Sequence, residues 1–266
     1  VLLFYKKILS SLTNFLKAMS ELNNETTVEE TVVEESSTAK KAVDPSLQGV
    51  QLFYENNKKA VQFIGGGFLL LLVAVVYYKF YHLPEQEKLA SNEMFWAQNY
   101  FEKDSFNIAL NGGVPVMAPS GQKQMMGFLQ IAEEFSSTKQ GSLAHYCAGI
   151  CLLRTGKYQD AIEHLKQFNG NDEIVAPIAV GAIGDCYMEL KNTDDAINYY
   201  LKAADKSRNS FTAPFYLKKA AFGYELKNQF AQSIEIFERI KKEYYRSDEG
   251  KDADKEIARL KALGNL

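Results

Sequence analysis

Cysteine is scarce in this chain, and the three present, Cys147, Cys151 and Cys186, are odd in number. That excludes the disulfide framework that staples small secreted domains. Cys147 and Cys151 stand four apart, on one helix face. A metal site needs more ligands than this, and only His145 and His164 are near in sequence. The thiols are expected as small buried packing residues. Charge of one sign is lacking too. The 30 Lys and Arg against 33 Asp and Glu leave a net charge of −3, which excludes the basic stripe of a nucleic-acid binder. Catalytic signatures are missing: there is no Walker loop, Gly-x-Ser-x-Gly, His-Glu-x-x-His or Cys-x-x-Cys. His82, His145 and His164 have no evident nucleophile or carboxylate partner, and Asp194-Asp195 reads as helix capping. The expectation is a protein that is not an enzyme, without cofactor or metal.

Long apolar runs are also rare, with one exception. Phe63 to Val76 carries no charge, and the stretch from Ala60 to Tyr78 is long enough to span a bilayer core of ~30 Å at ~1.5 Å per residue. Tyr77, Tyr78, Phe80 and Tyr81 form an aromatic cluster at its end, as a membrane interface favours. Residues 60–81 are therefore expected as a single transmembrane helix in contact with lipid. Lys40, Lys41, Lys58 and Lys59 precede the span, while Lys79 and Lys88 follow it. This bias predicts a cytoplasmic N-terminus and places residues 82–266 outside the cytoplasm. Residues 19–59 are rich in Glu, Thr and Ser and are expected as a disordered acidic tail. Residues 1–18 leave two readings. They are an interfacial helix with Leu2, Ile8, Leu9, Leu12 and Leu16 at helical spacing, or an extension upstream of a true start at Met19.

What the chain has in plenty is internal repetition. Gly149-Ile150-Cys151-Leu152 followed by Gly156 and Asp160-Ala161-Ile162 recurs as Gly184-Asp185-Cys186-Tyr187 with Asp195-Ala196-Ile197. It recurs again as Ala221-Phe222-Gly223-Tyr224 with Gln232-Ser233-Ile234. Ala161 to Ala196 is 35 positions and Ala196 to Ser233 is 37. Such a period marks stacked helical hairpins, none of which can bury its apolar face alone. The fold class is thus expected as all-α: one transmembrane helix, then an α-solenoid over 85–266. Regular hairpins are placed at 142–169, 177–206 and 214–244, with a capping helix at 248–263. Ser142, Asp160 and Asp194 are candidate N-caps, and Pro177 and Pro214 sit where first helices begin. A degenerate hairpin is expected at 85–136. Its second helix breaks at the Gly- and Pro-rich loop 111–121 and resumes near Gln124.

These repeats resemble tetratricopeptide repeats, whose motif sets Gly or Ala at position eight, Tyr or Leu at eleven, Ala at twenty and an aromatic or Leu at twenty-four. Gly149, Leu152, Ala161 and Leu165 match, as do Gly184, Tyr187, Ala196 and Tyr200, then Ala221, Tyr224 and Phe237, with Ser233 a departure. The resemblance implies a protein- or peptide-binding concave face lined by the first helices. Its exposed positions would be Tyr146, Ile150, Leu153 and Arg154, then Gly181, Asp185, Met188 and Glu189, then Lys218, Phe222 and Glu225. The slots that hold Lys and Asn in carboxylate-clamp members hold Tyr146, Ile150, Gly181, Asp185, Lys218 and Phe222 here, which does not suit a clamp; the groove suits an amphipathic helix or an unfolded apolar segment. The layout as a whole is similar to the ancillary subunit of the bacterial Sec translocon, in wording of the Bacteroidetes type. That likeness implies a bacterial inner-membrane location, a periplasmic repeat domain, and translocon and periplasmic folding factors as partners. The expected function is a membrane-anchored, non-catalytic adaptor in protein export or folding. A scaffold for cell-envelope or division complexes and a cytoplasm-facing docking module are the alternatives.

Overall fold

The computed structural model describes residues 53–54, 56–119 and 121–265. The readings of residues 1–18, and of the 19–59 tail up to residue 52, lie outside the described residues. The chain divides into two units, residues 1–65 and 66–266. In the first, the described residues belong mainly to the opening turns of helix α1 (Lys58–Tyr77). A π-helical turn, Tyr78–His82, and helix α2 (Leu83–Phe101) follow in the second unit. Together Lys58–Phe101 form one helix long and apolar enough to cross a membrane. No residue of α1 is buried, and Phe63, Ile64, Phe68 and Leu70 point outward. The π turn has a local cause. Pro84 has no amide to donate and its ring collides with the carbonyl four residues back, so the helix widens just before it. Accordingly the Leu83 N–H donates to the Tyr78 carbonyl five residues back.

From α2 onward, helices pair into hairpins: α2 with α3 (Phe106–Asn111), α5 (Lys139–Arg154) with α6 (Tyr158–Gln167), α7 (Val175–Glu189) with α8 (Thr193–Lys206), and α9 (Thr212–Leu226) with α10 (Phe230–Glu243). Helix α4 (Phe128–Glu134) precedes α5, and α11 (Asp248–Gly264) ends the stack. One turn joins all four pairs. The residue that closes it is left-handed each time: Asp104, Gly156, Lys191 and Asn228. The following amide donates back across the turn at 2.9 Å, as in Ser105 to Tyr100, Lys157 to Leu152, Asn192 to Tyr187 and Gln229 to Tyr224. This is the 6→1 bond of a helix C-terminus, and it satisfies a carbonyl that the helix leaves free. The α2–α3 pair thus shares its turn with the three later pairs.

The glycine- and proline-rich stretch is not a loop. Residues Gly112–Ala118 (β1) and Gly121–Met126 (β2) pair antiparallel, with Val116 opposite Lys123 and Ala118 opposite Gly121. Gln124, expected to restart the helix, lies in β2, and the helix resumes at Phe128. The strand signal is alternation. Val114, Val116 and Ala118 turn inward while Pro115 and Met117 face out, with Pro and Gly, both turn formers, at 119 and 121. Gly112 and Gly127 pinch the base so closely that a Cβ on either would strike the other's backbone. The hairpin is thus an insertion between α3 and α4 within an otherwise helical stack. An ion pair from Lys123 to Glu93 ties it to α2.

Several caps also differ from expectation. Helix α5 starts at Lys139, where Thr138 accepts from the Gly141 amide at 2.8 Å. Ser142 instead accepts from the Asn169 amide. Asn192, not Asp194, caps α8, and no side chain caps α6. Asp172 and Asn209 each accept from two amides at the starts of α7 and α9, so each proline falls at the third helical residue.

The core follows the repeat. Gly149 lets the Leu165 side chain close down on α5, and Gly184 does the same for the Tyr200 ring on α7. Ala161 and Ala196 are fully buried beneath them. In the third hairpin Ser233 replaces that alanine, and its buried hydroxyl donates to the Ala221 carbonyl at 2.9 Å. The departure from the motif is therefore satisfied. Gly181 faces the next hairpin, and a Cβ there would enter the ring of Tyr216, which is only 4% exposed. Gly181→Ala should gain ~1 kcal/mol of helix propensity but lose about 1–3 kcal/mol to overpacking, a net loss. Ala196→Asp should cost several kcal/mol by burying a charge. Thermal melting by far-UV circular dichroism measures both, and an unchanged midpoint in Ala196→Asp would refute this packing.

Candidate protein-binding face

The first helices α5, α7 and α9 are neighbours in the stack, so residues 35 and 37 positions apart form rows across them. One row is Tyr146, Gly181 and Lys218, and the next is Ile150, Asp185 and Phe222. Leu153, Met188 and Glu225 follow, then Arg154, Glu189 and Leu226. The residues expected on the concave face fall in these four rows. Their surroundings divide them into two sets.

Asp185 and Glu225 are engaged within the chain. Tyr200 donates to the Asp185 carboxylate at 2.7 Å and the Lys219 ammonium does so at 2.5 Å. The same ammonium stands 5.3 Å from the rings of Tyr200 and Phe215. Burial, then the Asp185 charge, pushes the Tyr200 phenol above its ordinary range. The group joins α7 and α8 to α9. Glu225 is gripped by both terminal nitrogens of Arg259 on α11, at 2.6 and 2.8 Å, and this bond holds its carboxyl below the usual range. Bidentate geometry makes this the stronger kind of exposed pair. Gly181 lies buried under Tyr216 and offers no side chain. Tyr146 rests on Phe168, ring centres 5.5 Å apart, and burial raises its phenol to about 12.

The second set is open. Ile150, Leu153 and Met188 are half-buried against the core, and Arg154 and Glu189 are exposed. Phe222 is 38% exposed with Lys218 beside its ring. Sequence reasoning missed its neighbours. Phe211, Phe215 and Leu226 are 70%, 45% and 69% exposed. Phe215, Phe222 and Leu226 on α9, with Phe211 just before its first turn, fall within ~60° of arc on a helix turning ~100° per residue. Spacings of four, seven and four were the available signal. A cavity of about 540 Å³ adjoins this stripe, bounded by Ile178, Phe211, Phe215, Tyr216, Arg246 and Asp248. An apolar strip with charges at its margin can take the apolar face of a helix or an extended segment.

Two polar features lie elsewhere. The three thiols are buried, and burial raises each to about 12, so they stay protonated at neutral pH. His145 and His164, without an evident partner in sequence, meet each other across α5 and α6 with 3.1 Å between their Nδ1 atoms. Among the described residues no group of three or more His, Cys, Asp and Glu is placed to hold a metal ion.

Burial lowers the pKa of both imidazoles. For His145 the charge of His164 adds to the effect, while for His164 Asp160 and Glu163 oppose it. The folded state then binds protons less readily than the unfolded state, whose imidazoles titrate near ~6.5. Stability is full above that value and falls as pH drops through it toward the lowered folded values. The melting midpoint should fall between about pH 7.5 and pH 5, and a His145→Gln, His164→Gln double variant should lose less over the same range. An identical fall in the variant would remove the histidines from the explanation.

The tetratricopeptide repeat family model matches residues 182–210, which contain most of α7 and all of α8. No curated protein matches the chain in sequence. Among solved structures the chain is similar to the nearly identical TPR-like repeats of a Podosopora anserina protein named as a kinesin light chain. That pair shares 12% identity at a TM-score of 0.45, over 69% of this chain and 87% of the other. A variant of the same repeats gives 13% identity and a TM-score of 0.44 over the same shares. The helical repeat region resembles tetratricopeptide-repeat solenoids, and residues 182–210 within it match that family's model; such repeats are typically non-catalytic scaffolds for binding proteins or peptides.

Proposed function

We propose that this chain is a single-span membrane protein whose repeats, residues 85–266, act as a protein-binding adaptor beside the membrane. The reading is carried by one observation. A helix apolar enough to span a bilayer and without a buried residue in its apolar window continues directly into the first repeat. A soluble protein has no place for such a helix. Tethering would confine the apolar stripe of α9, together with Ile150, Leu153, Met188 and the rim charges Arg154, Glu189 and Lys218, near the bilayer. That raises its effective concentration toward segments emerging from or held in the membrane. Asp185 and Glu225 would act indirectly, by fixing the angle between neighbouring repeats. The excess of lysines before the span favours a cytoplasmic N-terminus. With the architecture of the translocon's ancillary subunit, this supports a periplasmic adaptor in export or folding at the bacterial inner membrane.

Fusions after Leu266 test the placement: an alkaline phosphatase fusion should be active and a cytosol-only fluorescent reporter dark. Full-length protein extracted in detergent should bring down translocon or periplasmic folding components. The reverse reporter pattern would make it a cytoplasmic docking module, and recovery of division or cell-wall proteins instead would make it an envelope scaffold.

A further inference from the structure

Helices α5 and α6 bring together two imidazoles that the binding face does not use. His145 and His164 lie within one opening of about 490 Å³, whose other walls include Leu129, Ala132, Glu133 and Gln167. Their Nδ1 atoms are 3.1 Å apart and their ring centres 5.2 Å apart. From this juxtaposition we propose that the pair is a binding site for one divalent transition-metal ion of the imidazole-seeking kind, zinc or copper.

The spacing is what one ion requires. Two nitrogens each ~2.0–2.1 Å from zinc are ~2.9 Å apart at a right angle and ~3.3 Å apart at the tetrahedral angle. The observed separation falls between these limits. The two rings come from adjacent helices joined by a short turn, so little ordering is needed on binding. Metal binding by imidazole uses the neutral ring, so it is favoured above the ordinary imidazole range near ~6.5. The competing soft ligands are withdrawn, since all three thiols are buried. No third His, Cys, Asp or Glu among the described residues completes the set. The remaining positions go to water or to a donor from a partner, which makes this an exchangeable site rather than a structural one. Copper should bind more tightly than zinc.

Calorimetric titration of zinc into the full chain in detergent micelles, buffered near ~pH 7.5, tests this. One ion should bind per chain. His145→Ala and His164→Ala should each weaken binding by ~10-fold or more, since even removal of a partner that merely orients a ligand has that effect. His82→Ala, which removes the only other histidine, should change nothing. Copper loaded at one equivalent should show coupling to two imidazole nitrogens in its electron paramagnetic resonance spectrum, lost in either variant. Circular dichroism establishes that each variant is folded. No saturable zinc binding, or binding that survives both substitutions, would overturn the site and leave a plain hydrogen bond between the two rings.

Discussion

Close approach between helices is the constraint on which the repeat unit depends. The α5–α6 and α7–α8 hairpins close because the first helix carries Gly where the second presents a large side chain. Leu165 sits over Gly149 and Tyr200 over Gly184. Between hairpins Gly181 admits Tyr216 in the same way. Dispersion falls steeply with separation, so a missing methyl at these points turns a gap into dense packing. The large residues themselves, Phe237, Leu217 and Ile240 among them, are fully buried as a consequence. Polar links then set the joints: Asp185 with Tyr200 and Lys219, and Glu225 with Arg259. These are partly exposed and individually weak, and their value lies in orientation.

This division of labour explains the character of the surface. Asp185 and Glu225 on the first helices are engaged at the joints, while Arg154 and Glu189 stay exposed beside outward-facing apolar residues. Phe215, Phe222 and Leu226 are exposed on α9, with Phe211 just before it. Phe211 and Phe215 also border a cavity, and all four are exposed where a core would have buried them. Exposed apolar area of this kind costs solubility, and proteins carry it for binding. Helix α1 likewise turns its apolar side chains outward, with no residue buried.

The fold was largely legible because its signals are periodic. The recurrence of Ala161, Ala196 and Ser233 with their glycine and alanine partners announces hairpins, and the uncharged run from Phe63 to Val76 announces a helix long and apolar enough to cross a membrane. The misreadings arise where signals are local and compete. Pro115, Pro119 and four glycines in 112–127 mask the alternation of Val114, Val116 and Ala118, so a β-hairpin reads as a loop. Thr138 and Asn192 cap helices for which Ser142 and Asp194 seemed equally suited, because the choice rests on a turn geometry that side-chain type does not specify. At the candidate face, the pairing of its charged residues could not be read. Asp185 and Glu225 look free in sequence, since their partners Lys219 and Arg259 lie 34 residues away. The pairing of His145 with His164 likewise depends on how α5 and α6 turn toward each other.

The most direct test of the account is site-specific photo-crosslinking in cells, with the photoreactive residue placed at Phe222, at Leu226, or at Glu238 on the exposed side of α10. The account predicts adducts with the same membrane-proximal or emerging protein segment from Phe222 and Leu226, and none from Glu238. Adducts from Glu238 with no product at Phe222 and Leu226 would contradict it, since the binding face would then lie on the second helices.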